Sequence, residues 1–282
     1  MKKPLIPILL VIFLAGCSTK FSYFFLDWAI EWRVDEYVEL DKSQQAQFDK
    51  LLDKFLLWHQ QQELARYSEQ LQQLSDNINK HTLTIEIWEQ QVTAAKAHWF
   101  RVFEFLLPDL LPIITSLSDQ QVKSIITQLK LDNDELNAKY AGKNQLELVA
   151  DANKRTINRV DDWLGSTTAE QEVLIKAFNQ QRLATLDMWL EYRLEWLRQF
   201  ETALSQRDDT ALLEQRMRLL MTQPDELKSA IYQQNADRNT RLFGQLMIEI
   251  NHSLSSKQRR HLNKKIVTLI EDLQDLSDDV KR

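Results

Sequence analysis

Leu117-Ser118-Asp119-Gln120-Gln121-Val122 has the form of a helix start. The Ser118 hydroxyl is placed to accept from the backbone N–H of Gln121, and the Gln121 side chain to reach back to the N–H of Ser118. Two donors that a helix N-terminus leaves orphaned are thereby satisfied reciprocally. Leu117 and Val122 flank the box at the spacing of a hydrophobic staple. The same S/T/D-x-x-Q pattern recurs at Asp41–Gln44, Thr168–Gln171 and Ser255–Gln258. Leu40 and Leu254 precede two of these, without an apolar partner at the staple position.

Outward from the boxes the apolar spacing is helical. Phe48, Leu51, Leu52, Phe55, Tyr67, Leu71, Leu74 and Ile78 mark one long helix from near Ser43. Trp88, Val92, Ala95, Trp99 and Leu106 mark the next, which Pro108 and Pro112 are expected to break. A helix over about 133–163 has a weak spot at Gly142. A long helix from Ala169 carries the stripe Leu186, Leu190, Leu194, Leu197 and Leu204. Leu227 and Ile231 open another after Pro224, and Ile266 to Leu276 mark the last. The whole chain has 4 Gly and 5 Pro, too few turn residues for a sheet protein of 282 residues. The fold class is all-α: an elongated multi-helix bundle, or two related helical subdomains. Asp41 and Thr168 stand 127 positions apart, Ser118 and Ser255 137 apart. That spacing suggests a duplication, with halves over 22–164 and 165–282.

The N-terminus carries a different signal. Met1-Lys2-Lys3 is basic, and Leu5 to Ala15 is an apolar run too short for a membrane span. It ends in Leu14-Ala15-Gly16-Cys17, which resembles the bacterial lipobox. Residues 1–16 read as a signal peptide, and 17–21 as the lipidated Cys17 with a short tether. The resemblance implies that Cys17 becomes the mature N-terminus, carrying palmitate-type acyl chains, and that the membrane is a partner through it. Ser18 stands where Asp would imply inner-membrane retention, so the resemblance implies the periplasmic face of the outer membrane. The whole chain has formal charge −6, which becomes −8 once Lys2 and Lys3 are removed. Such an acidic protein is a poor nucleic-acid binder. Phe21, Tyr23, Phe24, Phe25, Trp28, Trp32 and Tyr37 crowd a first helix from Ser22 to about Val38. These rings either form a membrane-interface belt or pack on the core. Trp28 and Trp32 share a face with Phe25, which favours the core.

Trp32-x-x-Asp35-x-Tyr37-Val38-x-Leu40, Trp58-His59, Glu63-Leu64, Arg66-Tyr67, Trp163-Leu164-Gly165, Asn239-x-x-Leu242 and Gln258…Asp272-Leu273 together resemble a family of bacterial lipoproteins of unknown function. That resemblance implies the anchor and the helical fold, and no activity. The boxes are also similar to the Leu-Thr-x-x-Gln motifs of small periplasmic stress chaperones, although three of the four have Ser or Asp in place of Thr.

Chemistry-bearing motifs are few. His59 and Glu63 stand four apart, but no second ligand pair follows, so they read as a local helix pair. No Gly-rich phosphate loop or nucleophile elbow is present, and no cofactor is implied. Asp187, Glu191 and Glu195 form an acidic stripe, and Gln234, Arg238, Arg241 and Gln245 a polar one. If the two helices face each other, these seven residues line a polar groove; otherwise they are two solvated faces. Lys257, Arg259, Arg260, Lys264 and Lys265 crowd the start of the last helix, where cations oppose the helix dipole and an anionic neighbour would relieve them. The expected function is a non-enzymatic helical interaction, scaffold or chaperone-like module meeting an envelope protein or anionic ligand. The alternative is an envelope hydrolase or lyase acting on cell wall or lipid through Glu191 and Glu195.

Overall fold

The computed structural model describes residues 19–279. The expected leader 1–16 and Cys17 lie outside the described residues. The rest is a succession of helices, with no strand among the described residues. In chain order they are α1 (Thr19–Phe24), α2 (Leu26–Asp35), α3 (Lys42–Trp58), a π turn (His59–Glu63), α4 (Leu64–Asn79), α5 (Ile85–Thr115) and α6 (Asp119–Tyr140). Then follow α7 (Gln145–Leu164), α8 (Ala169–Gln181), α9 (Leu186–Ser205), α10 (Thr210–Thr222), a 3₁₀ turn (Pro224–Leu227), α11 (Ala230–His252) and α12 (Ser256–Asp279).

All four glutamine boxes form, at the starts of α3, α6, α8 and α12. They also meet in pairs. Gln121 Nε2 donates to Gln44 Oε1 at 2.6 Å and Gln44 Nε2 to Gln121 Oε1 at 3.2 Å. Gln258 Nε2 donates to Gln171 Oε1 at 2.8 Å, with the return bond at 3.4 Å. The remaining donors reach into the segments just ahead of the partner box. Gln44 donates to Ser116 O, Gln121 to Glu39 O and Gln258 to Ser166 O, each 2.8–2.9 Å, and Gln171 to Ser253 Oγ at 3.0 Å. Those four acceptors all stand two residues before a box. The two pairs are therefore built alike, as a duplication would leave them.

This pairing explains why each box ends in Gln. A glutamate would close its own cap but has no N–H to give the partner helix. A fifth box, Asn144 to Glu147 at the start of α7, is exposed, and there a glutamate serves. Gln171→Glu is expected to lose about 2 kcal/mol of stability, because the buried amide's two donors vanish. Glu147→Gln is expected to change stability by under about 0.5 kcal/mol. Chemical denaturation of both variants checks the contrast.

Four expected boundaries shift. α1 begins at Thr19, ahead of Ser22, so helix already occupies the end of the 17–21 tether. α5 runs through Pro108 and Pro112. Both prolines are on the solvent face, where water can meet the carbonyls they leave free, while Leu107, Leu111 and Ile114 hold the opposite face in the core. The helix expected from Ala169 stops at Gln181 and restarts at Leu186. Asn239 of α11 holds that break open: its Oδ1 accepts from Leu183 N at 2.9 Å and its Nδ2 donates to Leu183 O at 3.0 Å. No helix starts near 133: α6 runs from Asp119 to Tyr140, and α7 starts at Gln145 beyond Gly142, whose φ of +76° is left-handed.

Three apolar clusters hold the helices. The largest joins the end of α5 (Leu107, Leu111, Ile114) to Ile126 of α6, Leu197 and Leu204 of α9, and Leu213, Met217 and Leu220 of α10. A second joins Val160 and Leu164 of α7 to Ile175 of α8 and Leu246 and Ile250 of α11. The third sets Leu64 of α4 against Leu273 and Leu276 of α12, with Tyr23 and Tyr67 alongside. All three draw on residues from both sides of residue 165, so the sequence halves interlock. Gly244 lets α11 close on α5: a Cβ there would fall 2.4 Å from Trp88 Cδ1, and the Trp88 indole donates to Thr240 O at 3.1 Å. Gly244→Ala is expected to cost about 1–3 kcal/mol by overpacking, read as a lower thermal midpoint.

Candidate functional site

The densest buried polar cluster forms where α3 passes into α4. The π turn closes with Leu64 N–H bonded to His59 O, one residue longer than an α-turn, a distortion frequent at functional sites. His59 and Glu63 at its two ends both point inward and are 2% and 0% exposed. Glu63 meets three cations or near-cations. Arg101 of α5 grips both its oxygens, Nε to Oε1 at 2.8 Å and Nη2 to Oε2 at 2.9 Å. Arg66 adds a bond at 3.3 Å, and His98 Nδ1 lies 3.2 Å from Oε2. Burial alone would raise the Glu63 carboxyl, but the hydrogen bonds from Arg101 and His98 reverse that and hold it below its ordinary value.

Burial lowers His98, more than Glu63 restores it. Its Nε2 faces Gln70 Oε1 at 2.6 Å, and its Nδ1 lies against both Glu63 Oε2 and Arg101 Nη2. Gln70 passes the chain on to Gln91 O at 2.8 Å. Burial pushes His59 down to about 4. Its two ring nitrogens sit between phenols, Nδ1 3.0 Å from Tyr23 Oη and Nε2 3.2 Å from Tyr67 Oη. Burial raises both tyrosines. A relay thus runs from Tyr23 on α1 through His59 to Tyr67, whose ring stands edge-on to His98 at 4.6 Å.

The relay joins the N-terminal helix to the body. α1 is further held on α12, where Thr19 N donates to Asp272 Oδ2 at 3.0 Å and Lys20 pairs with Asp275. Gln60 of the π turn donates to Leu276 O at 3.2 Å.

The expected polar groove does not assemble. Asp187, Glu191, Gln234, Arg238, Arg241 and Gln245 are exposed, and no ion pair among the described residues joins the two stripes. Glu195 pairs with Arg198 on its own helix, and Arg241 with Glu89 of α5. Contacts between α9 and α11 instead include Tyr192 against Tyr232 and Asn235 against Met188. The basic patch divides. Arg259 donates to Asn251 O at 3.0 Å and to Ile78 O at 3.4 Å, near the ends of α11 and α4. Lys265 donates to Asp162 O near the end of α7. These two cations have found their anionic neighbours in the negative ends of other helices. Lys257, Arg260 and Lys264 stay exposed. No metal-binding group of His, Cys, Asp or Glu occurs among the described residues.

A family model described as a family of unknown function, DUF6279, matches residues 36–233. The chain belongs to that family. The DUF6279 segment holds His59, Glu63, Arg66, Tyr67, Gln70, His98 and Arg101, so all of the buried cluster except Tyr23 lies inside it. No curated protein and no solved structure matches the chain.

Proposed function

We propose that this DUF6279 protein is a non-enzymatic interaction module of the cell envelope, held by acylated Cys17 at the periplasmic face of the outer membrane. One observation supports the non-enzymatic reading above others: the constellation that looks most like an acid–base site, Glu63 with His98 and Arg101, is engaged internally. A general acid or base must touch the proton it moves. Glu63 has no exposed surface, and Arg101 occupies both of its oxygens. Glu191, a candidate for the hydrolase or lyase reading, is exposed on α9, and Glu195 is tied to Arg198. The box glutamines likewise bond one another, so their likeness to chaperone motifs is accounted for by capping and pairing.

The address rests on Leu14-Ala15-Gly16-Cys17 and on Ser18. Cys17→Ser should abolish labelling by palmitate and block processing, and the native protein should sediment with the outer membrane. Labelling that persists in the variant would refute the anchor; sedimentation with the inner membrane would refute the sorting. In-cell crosslinking should recover an envelope protein. Recovery of none, together with altered cell-wall or lipid composition in Glu191→Gln, would favour the enzyme.

A further inference from the structure

Five aromatic residues of the α1–α2 segment are not in the core. Phe21, Phe24, Phe25, Trp28 and Trp32 are 62%, 78%, 43%, 61% and 48% exposed. Their spacing places them along one side of the α1–α2 segment, while Tyr23, Leu26 and Val34 turn toward the body. The rings lean on one another: Phe21 on Phe25 at 5.0 Å, Phe24 on Phe25 at 5.4 Å, and Trp28 on Trp32 at 6.4 Å. Large apolar side chains exposed elsewhere among the described residues are scattered along the chain, and only Trp99 among them is aromatic. A contiguous patch of this kind marks an interaction site, and Phe with Trp is the composition of a membrane–water interface.

We infer that this aromatic face lies in the headgroup region of the bilayer that receives the Cys17 acyl chains, so that the first two helices form a second, non-covalent membrane contact. The inference rests on the proposed anchor. Thr19 follows Cys17 by two residues, a span of at most roughly 7 Å. At about 1.5 Å per helical residue, Trp32 lies at most roughly 20 Å farther along. With Cys17 acylated, the patch cannot leave the vicinity of the headgroups. No helix among the described residues is long and apolar enough to cross a membrane, so the contact is one of helices lying on the surface. Lys20 is paired with Asp275, and Asp27 and Asp35 flank the rings, so the attraction is not electrostatic and should persist at high salt.

The fixation of α1 extends the consequence. Thr19, Lys20 and Tyr23 bind Asp272, Asp275 and His59, so a face seated in the bilayer would set the tilt of the whole bundle. A partner would then meet one defined side of the protein at a defined height.

The test reconstitutes the full mature protein, with its acyl chains, into phosphatidylcholine vesicles with and without brominated lipid tails. Native protein should lose tryptophan emission in the brominated vesicles at low and high salt. Most of that loss should disappear in W28F/W32F, whose exposed substitutions leave the helical circular dichroism unchanged. Palmitate labelling of the same preparations separates the two readings. Labelled protein whose Trp28 and Trp32 are not quenched overturns the docking and leaves the anchor standing. If that protein is also a dimer dispersed by W28S/W32S, the face belongs to a second copy. Unlabelled protein overturns the anchor and the docking together.

Discussion

Glu63→Ala should lower the unfolding free energy by about 3–4 kcal/mol, the effect expected when one partner of a buried ion pair is removed. The loss arises because Arg101, Arg66 and His98 converge on a carboxylate with no exposed surface. The alanine leaves the Arg101 guanidinium facing a cavity between α4 and α5. Arg101 is itself 33% exposed, so water softens the loss and keeps the figure toward the lower end of the usual range. Glu191→Ala, on the exposed side of α9, should stay within about 0.5 kcal/mol of native. Urea midpoints of the two variants measure the difference. Equal midpoints would mean that the cluster holds little of the fold together.

Acid should destabilise the protein through the same cluster. An unfolded histidine titrates near 6.5, whereas buried His59 titrates at about 4. Between those values the unfolded chain binds a proton that the folded chain refuses, so stability falls as pH falls. The stabilisation is fully present above pH 6.5 and is lost by about pH 4; the loss is about 3 kcal/mol at 1.36 kcal/mol per unit. His98 is also lowered and acts in the same direction. Glu63, held below its ordinary value, adds a further loss at still lower pH. The groups facing His59 are Tyr23, Tyr67 and Glu63, of which the tyrosines do not titrate in this window. Unfolding free energies at pH 7, 5.5 and 4 should trace the decline, and His59→Gln should flatten it.

Much of the helical architecture was legible in the boxes and the apolar period, because capping and amphipathicity are local. Asp41, Ser118, Thr168 and Ser255 each announce a helix start within four residues. What sequence could not supply was the tertiary use of the same side chains. That Gln44 meets Gln121 and Gln171 meets Gln258 depends on helices 77 and 87 positions apart. The break after Gln181 has no Gly or Pro, and it exists because Asn239 supplies the bonds Leu183 forgoes. Pro108 and Pro112 misled because the core packing of Leu107, Leu111 and Ile114 outweighs the cost of two exposed prolines, and burial is not a local property. Asn144-x-x-Glu147 was readable as a capping box and was missed.

The site was half legible. Trp58-His59, Glu63-Leu64 and Arg66-Tyr67 carried the resemblance to a lipoprotein family, and they bracket the π turn. His98 and Arg101 stand on the next helix but one in sequence and gave no signal beyond their i,i+3 spacing. The acidic and polar stripes of α9 and α11 looked like a groove because charge at helical spacing does not say which way a helix faces. The aromatic helix misled in the opposite direction: shared spacing among Phe25, Trp28 and Trp32 is equally that of a core face and of an interface face.

No free linker is expected between the proposed anchor at Cys17 and the body, because α1 is part of the fold. Amide hydrogen exchange over Thr19–Phe24 in the intact protein measures this directly. Segments that open together exchange together. Amides of α1 should share the slow exchange of α4 and α12, and Tyr23→Phe should speed α1 alone. Fast exchange of α1 in the native protein, at the rate of an unstructured peptide while α4 and α12 stay protected, would contradict this.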